Sequence, residues 1–179
     1  MPVQATALNV VTAMIDLRLR GRALRVVRVL AAFFVIVAGC RSRGTPMDAA
    51  QLREFGARYT AAWCSQNASS VAAFFAEGGS LKINQGAPSV GRVAITKAAQ
   101  GFMTAFPDMV VTMDATEVQG NRAAYRWTLT GTNTGPGGTG KTVRISGYEE
   151  WTLGADGLIA ESKGHFDEAD YQRQLRAGS

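Results

Sequence analysis

The chain has 179 residues, of which 46% are apolar and 18% charged, and its formal net charge is +5. This length fits one domain with an appendage, and the composition excludes a collagen-like, disordered or polytopic protein. One His and two Cys exclude a zinc site built from several such side chains and allow at most one disulfide. We therefore expect no metal site.

The positive charge is concentrated in the first 40 residues. They carry five Arg against one Asp, a balance of +4, whereas residues 41–179 carry 14 Lys and Arg against 13 Asp and Glu, a balance of +1. A nucleic-acid-binding domain would need a basic face of its own. The nearly neutral remainder therefore predicts no nucleic-acid partner.

The basic segment precedes eleven residues, 29–39, that lack a polar side chain. A membrane-spanning helix needs about 20 apolar residues, so this run is too short for an ordinary anchor. A basic start, a short apolar core and small residues at its end are typical of a secretory signal peptide. We assign residues 1–39 to a signal peptide, which would have a more usual length if translation began at Met14 rather than Met1.

The end of the apolar run, Val37-Ala38-Gly39-Cys40, resembles the bacterial lipobox, whose cysteine becomes the lipid-modified first residue of the mature protein. The resemblance implies an exported, membrane-anchored lipoprotein that faces the periplasm or the cell exterior. Residues 40–46 would be the tether and residues 47–179 the domain. An ordinary cleaved signal, or an uncleaved or buried apolar segment, remains an alternative.

The other cysteine, Cys64, lies among Ala and Trp residues in a helical pattern. A nucleophilic cysteine needs a partner base that ionises the thiol, and this pattern offers none. We interpret Cys64 as a buried structural thiol. A bridge to Cys40 stays possible if Cys40 is not lipidated.

Helical spacing predicts helices over residues 45–66, 67–76 and 92–105. Thr45 is the expected N-cap of the first helix, and Gly78 follows the end of the second. A short strand is expected around residues 81–83.

After Pro107 the pattern changes to the period of two that is typical of strands. The predicted strands are 109–118, 122–133, 142–153 and 158–166, followed by a helical segment at 167–176. Helices followed by consecutive hairpins predict an α+β domain in which helices cover one face of an antiparallel sheet.

Residues 135–142 match the phosphate-binding pattern G-x-x-x-x-G-K-[ST]. That pattern needs a helix after the loop, whereas residues 143–148 alternate like a strand. We interpret the segment as a hairpin loop and expect no bound nucleotide.

Several motifs of the mature chain are specific in their order and spacing. They are RYTAAW at 58–63, VAAFFA at 71–76, FPD at 106–108, WTLTGTNTG at 127–135, TGKT at 139–142 and DGLIAE at 156–161. In this order they resemble the SnoaL-like polyketide cyclase family of the nuclear-transport-factor-2-like superfamily, over about residues 48–176. The resemblance implies a cone-shaped α+β fold, with three helices packed on a strongly curved antiparallel sheet around an apolar pocket.

The resemblance also implies a small apolar ligand, no cofactor and a homodimer formed through the sheet. Family members use the pocket for isomerisation, dehydration, epoxide opening or ring closure, and others are not catalytic. The family places its cavity between the first and third helices and the later strands. On that basis the candidate ligand-binding residues are Trp63, Met103, Phe106, Trp127 and Tyr148.

Two candidate catalytic residues come from comparison with the superfamily's enzymes. Tyr59 matches the phenol of ketosteroid isomerases, but residues 82–84, at the position of their carboxylate base, contain none. Asn133 stands where the cyclase hairpin carries His, and it can donate a hydrogen bond to a carbonyl but cannot act as an acid or base.

Four polar residues of the last predicted strand share one face: Glu161, Lys163, His165 and Asp167. If this face points into the pocket, His165 can shuttle protons, with its charge state set by Asp167 or Glu161. If it does not, the four residues form a solvated or dimer-facing surface. Asp167 is also well placed to cap the terminal helix.

These residues leave two functions open. One is a lipid-anchored module that binds a small hydrophobic molecule. The other is a SnoaL-like cyclase, isomerase or hydrolase that acts on a small carbonyl or polyketide-like substrate through Tyr59, Asn133, His165 and Asp167. The missing carboxylate base favours the binding module.

Overall fold

The computed structural model describes residues 47–178. The predicted signal peptide, the lipidation at Cys40 and the whole of the predicted tether lie outside these residues. The described part forms an α+β domain with four helices and six strands. The sequence predicted three helices on the sheet, and the terminal segment is a fourth.

The helices are α1 (Ala49–Cys64), α2 (Ala68–Ala72), α3 (Gly91–Ala105) and α4 (Glu168–Ala177). The strands are β1 (Phe75–Ile83), β2 (Ser89–Val90), β3 (Val110–Gln119), β4 (Arg122–Thr132), β5 (Thr142–Leu153) and β6 (Ile159–Phe166). The last four strands agree with the sequence prediction to within one residue at nearly every end.

The six strands form one sheet in the order β2-β1-β6-β5-β4-β3. Strands β3 to β6 pair as consecutive antiparallel hairpins, as predicted. The sheet is not wholly antiparallel, because β1 pairs with β6 in parallel. Register shifts interrupt the β1–β6, β3–β4 and β5–β6 pairs, and such irregularities bend strands, which gives the sheet its curvature.

The two ends of the first helical region differ from the prediction. The N-cap of α1 is Asp48 rather than Thr45, because Asp48 and Gln51 form a reciprocal capping box with bonds of 2.8 and 3.0 Å. The second helix is a single turn, and Gly78 and Gly79 lie inside β1. A Cβ on Gly79 would lie 2.7 Å from the carbonyl oxygen of Ile159, so glycine permits the close pairing of β1 with β6.

Helix α1 packs its apolar stripe onto the concave face of the sheet. The stripe consists of Leu52, Phe55, Tyr59 and Trp63. Tyr59 is fully buried at the centre of an aromatic cluster with ring distances of 5.2 to 6.3 Å. Its partners in that cluster are Trp63, Phe74, Phe75, Tyr125 and Trp151. Aromatic pairs in edge-to-face arrangement stabilise a core beyond the area that they bury.

Hydrogen bonds of polar side chains near both ends of α4 stabilise its position. Asp167 caps α4, as expected, by accepting a hydrogen bond from the backbone of Asp170 at 2.9 Å. The buried amide of Gln174 accepts from the backbone N–H of Arg144 and donates to its carbonyl. These two bonds hold α4 against the N-terminal end of β5.

Residues 133–141 form the hairpin loop between β4 and β5. The backbone N–H of Asn133 donates to the carbonyl of Lys141 at 2.9 Å, and strand β5 follows directly. The phosphate-binding pattern in this loop is therefore not followed by a helix, as predicted from the alternation of residues 143–148.

A substitution at Gly147 tests how closely the sheet is packed. A Cβ at this position would lie 2.6 Å from Cζ2 of Trp127, and closer still to the carbonyl oxygen of His165. We expect Gly147→Ala to lower the free energy of unfolding by about 1–3 kcal/mol, because β6 or the indole must move. Urea denaturation measures this change.

Gly78→Ala in β1 is the matched control, because its added Cβ meets nothing within 4 Å. We expect it to change stability by less than about 0.5 kcal/mol. Equal stabilities of the two variants would contradict the close approach at Gly147.

Candidate functional site

A cavity lies between the helices and the concave face of the sheet. Its volume is about 60 Å³, and one water needs about 10–15 Å³ on this scale, so it has room for a molecule of a few heavy atoms. Five aromatic side chains contribute to its wall: Trp63, Phe102, Tyr125, Trp127 and Phe166. Aliphatic side chains and Gly164 form most of the remainder.

Glu149 is the one charged residue among those that line the cavity in the described part of the chain. It lies in the middle of β5 and is only 5% exposed. Three side chains hold its carboxyl group from three elements. The hydrogen bonds to Oε2 come from Ser162 Oγ at 2.5 Å, Trp151 Nε1 at 2.8 Å and Tyr59 Oη at 3.2 Å.

The second carboxyl oxygen, Oε1, is held less tightly. Its contact within the described residues is the Tyr59 hydroxyl at 3.3 Å, which it shares with Oε2. Oε2 is therefore occupied by protein donors. Oε1 therefore keeps the larger capacity to accept a further hydrogen bond.

Burial raises the pKa of Glu149 above its ordinary value, and the hydrogen bonds from Ser162, Trp151 and Tyr59 offset part of this rise. Burial also raises the pKa of Tyr59 well above its ordinary value, and the adjacent Glu149 carboxylate adds to the effect. Tyr59 is consequently a neutral hydrogen-bond donor at neutral pH.

Sequence reasoning missed Glu149, although its position carried a signal. Alternate residues of β5 face the core, and Glu149 stands between Ile145 and Trp151 in this inward set. A carboxylate in the middle of an apolar series is costly to bury unless it has a role or partners. The resemblance to ketosteroid isomerases pointed instead to residues 82–84, and the last predicted strand supplied the other candidates.

The structure brings three of the predicted site residues to the cavity region. Trp63 and Trp127 line the cavity, and Tyr59 contacts Glu149. Met103 and Phe106 are buried in the adjoining core but do not line the cavity.

The structure places His165 and Tyr148 on the outer face of the sheet. Their rings stack at 4.8 Å, and Nε2 of His165 lies 3.6 Å from the Glu150 carboxylate. The pairing of β5 with β6 explains this placement, because Ser162 and Gly164 take the inward positions of β6. A proton-shuttle role for His165 required this face to point into the pocket, whereas it lies on the outer side of the sheet.

The remaining two candidate catalytic residues have local structural partners. Asn133 donates from Nδ2 to the carbonyl of Ala105 at 3.1 Å and accepts the backbone N–H of Thr139 at 2.8 Å. It therefore fixes the hairpin loop against the end of α3. Asp167 is the N-cap of α4, and neither residue lines the cavity.

Cys64 is half-buried at the end of α1. Its thiol donates to the carbonyl of Val111 at 3.3 Å and accepts the N–H of the same residue at 3.2 Å. These contacts join α1 to the backbone of β3, so the thiol acts as a packing element.

Within residues 47–178, no helix is both long enough and apolar enough to cross a membrane. The same residues contain no group of three or more His, Cys, Asp or Glu side chains arranged to hold a metal ion.

The curved sheet with its helix-covered concave face recurs in solved structures. TsrD from Streptomyces laurentii is similar over 73% of this chain and 98% of its own, with a TM-score of 0.63 and 22% identity. A hypothetical protein with a ketosteroid isomerase-like fold, from Catenulispora acidiphila, is similar over 68% of this chain and 92% of its own, with a TM-score of 0.62 and 16% identity. Identities this low show the fold, which is that of the nuclear-transport-factor-2-like proteins.

A putative SnoaL-like polyketide cyclase from a Jannaschia species has the same fold, with a TM-score of 0.59 and 18% identity over 70% of this chain and 94% of its own. The sequence model of the SnoaL-like domain matches residues 57–162. The chain therefore belongs to the SnoaL-like domain family, as its motifs indicated. No curated protein matches it in sequence.

The raised pKa of Glu149 predicts a pH-dependent stability. The folded state holds this proton more tightly than the unfolded chain, so its contribution is complete below the unfolded pKa near 4.3 and is lost as pH rises through the folded pKa. Glu149→Gln should remove this loss, by about 1.4 kcal/mol for each pH unit between the two pKa values.

Urea denaturation from pH 4 to pH 8 measures this dependence. Glu54→Gln is the control, because Glu54 is exposed on α1 and forms no ion pair among the described residues. Its profile should follow that of the wild type. If the pH profile of Glu149→Gln ran parallel to that of the wild type, the raised pKa of Glu149 would be contradicted.

Proposed function

We propose that this protein is an exported, lipid-anchored SnoaL-like domain that binds a small hydrophobic molecule in its aromatic cavity. The observation that carries the proposal is the cavity itself, with apolar walls and one buried acid at Glu149. Ligand sites in proteins commonly combine apolar walls with a few polar groups that orient the ligand. Glu149 supplies that polar group here.

Related structures support a binding role for this fold. The Catenulispora acidiphila protein was solved in complex with trimethylamine, and TerC was co-crystallized with polyporic acid. These two molecules differ greatly in size. The cavity of about 60 Å³ favours a ligand near the smaller end.

Catalysis is a second candidate function, and the pair formed by Glu149 and Tyr59 favours it. SalBIII, an epoxide hydrolase/cyclase-like enzyme, has this fold at 18% identity. In such an enzyme Glu149 would act as the acid or base and Tyr59 as the hydrogen-bond donor to a carbonyl or epoxide oxygen. We place binding first, because one buried acid without a second acid or base group suits the holding of a ligand better than a proton relay.

The homodimer implied by the family resemblance is also part of the proposal. The outer face of the sheet carries both signs of charge, with Arg126 beside Glu117 and Lys163 beside Glu161. The half-exposed ring of Tyr148 lies among them. A face of mixed charge can complement a second copy of itself about a two-fold axis.

Lipidation at Cys40 predicts a defined chemical product. In the host, intact mass should match a chain that begins at Cys40 and carries lipid, and labelled fatty acid should enter the protein. Cys40→Ser should abolish the label, whereas Cys64→Ser should keep it, since Cys64 bonds to the backbone of Val111. A mature N-terminus before Cys40 would contradict the lipoprotein assignment.

Native mass spectrometry of the protein from its own host tests the cavity. We expect a bound small molecule on the wild type and a dimeric mass. Gly164→Val should reduce ligand occupancy at least 10-fold, because a Cβ at Gly164 has only ordinary contacts, at 3.6 Å or more, and the side chain would fill the cavity.

Gly78→Val is the matched control, because it changes an exposed strand glycine with free space around it. It should keep full ligand occupancy. Unchanged occupancy in Gly164→Val would show that the molecule binds elsewhere.

A further inference from the structure

We propose that the ligand of the aromatic cavity is a small organic cation, an alkylated amine or quaternary ammonium, with its charge against Oε1 of Glu149. This inference rests on the binding function proposed above and names its ligand class. Three independent features of the cavity carry it: the aromatic wall, the missing counter-charge and the size.

The aromatic wall provides electron-rich surfaces from both the helices and the sheet. Trp63 and Phe102, from α1 and α3, pack at 6.2 Å with nearly perpendicular rings. Trp127 and Phe166, from β4 and β6, lie 6.3 Å apart with an angle of 62° between their rings. Cations bind to the faces of such rings, and aromatic cages are the usual recognition site for methylated ammonium groups.

Glu149 lacks a cationic partner. The groups that face it are Tyr59 from α1, Tyr125 from β4, Trp151 from β5 and Ser162 from β6. None of these side chains carries a positive charge, and no ion pair of the described residues includes Glu149. A buried carboxylate is normally paired with a positive charge. Because the protein supplies none beside Glu149, we infer that the ligand supplies it.

The hydrogen bonds to Glu149 suit its ionised form. The indole N–H of Trp151 can only donate, and the hydroxyls of Ser162 and Tyr59 also donate to the carboxyl group. Three donors on one oxygen stabilise a negative charge there. Burial opposes the ionisation of Glu149 when the cavity is empty. A cation that enters the cavity would neutralise the carboxylate and so favour its ionised form.

The size of the cavity limits the cation. On the scale used above, about 60 Å³ corresponds to roughly four to six water-sized groups. This volume suits a compact amine that carries a few methyl groups.

A cation and a neutral ligand have opposite pH dependences at this site. A cation binds the ionised carboxylate and displaces its proton, so its affinity should rise as pH increases through the pKa of Glu149. A neutral hydrogen-bond acceptor would bind the protonated carboxyl group, and its affinity should fall over the same range. The sign of the dependence therefore identifies the ligand class.

The test compares tetramethylammonium with tert-butyl alcohol, a neutral molecule of similar shape, on the purified full-length protein. Calorimetry and the fluorescence of Trp63 and Trp127 report binding at pH 5 and pH 8. We expect the cation to bind at least 10-fold tighter than the alcohol at pH 8. We also expect its affinity to be weaker at pH 5 than at pH 8, with proton release on binding at the lower pH.

Variants assign the effect to the carboxylate. Glu149→Gln should weaken tetramethylammonium binding at least 10-fold and leave the affinity for the alcohol unchanged. Glu150→Gln, on the outer face, should bind both probes like the wild type. If Glu149→Gln does not fold, the sign of the pH dependence in the wild type still decides the question.

Each contrary outcome has a separate meaning. Equal or tighter binding of the alcohol, or cation affinity that does not rise with pH, overturns the cation assignment and leaves a cavity for neutral ligands. If neither probe binds while a neutral molecule co-purifies from the host, the cation assignment also fails and the binding function stands. If no ligand co-purifies and neither probe binds, both the cation assignment and the proposed binding function are overturned.

Discussion

The buried carboxyl group of Glu149 joins the main parts of this domain. Its partners come from α1, β5 and β6, so one side chain connects the first helix to the two central strands of the sheet. Burying a carboxyl group costs several kcal/mol unless such partners are present. The aromatic cluster around Tyr59 and the cavity beside it are both arranged about this polar centre.

The curved sheet keeps a small space open next to that centre. Register shifts along β1 and β3 bend the strands around α1 and α3, and Gly164 leaves room where a side chain would otherwise fill the concave face. Large aromatic residues close the sides. The result is a cavity in which a single carboxyl oxygen meets mainly apolar surface, an environment that strengthens any electrostatic contact with a ligand.

Local patterns predicted most of the elements, and their failures have identifiable causes. Period-two alternation located β3 to β6, because each has one buried and one exposed face. The same approach missed the start of β1, since residues 75–79 follow a helical turn and contain two glycines. The strand starts there because Phe75 pairs with Ile159 and the parallel pairing resumes at Ser80 with Glu161, more than 80 residues further along the chain. A local pattern carries no information about such a partner.

The sequence by itself determined the class of fold, the family, the amphipathic first helix and the meander of strands. Only the tertiary structure decided which polar residues face the cavity. Glu149 and His165 both lie on strands with mixed neighbours, and the register of β5 against β6 directs the first inward and the second outward. Because successive side chains of a strand point to opposite faces, that register decides which residue takes part in the site.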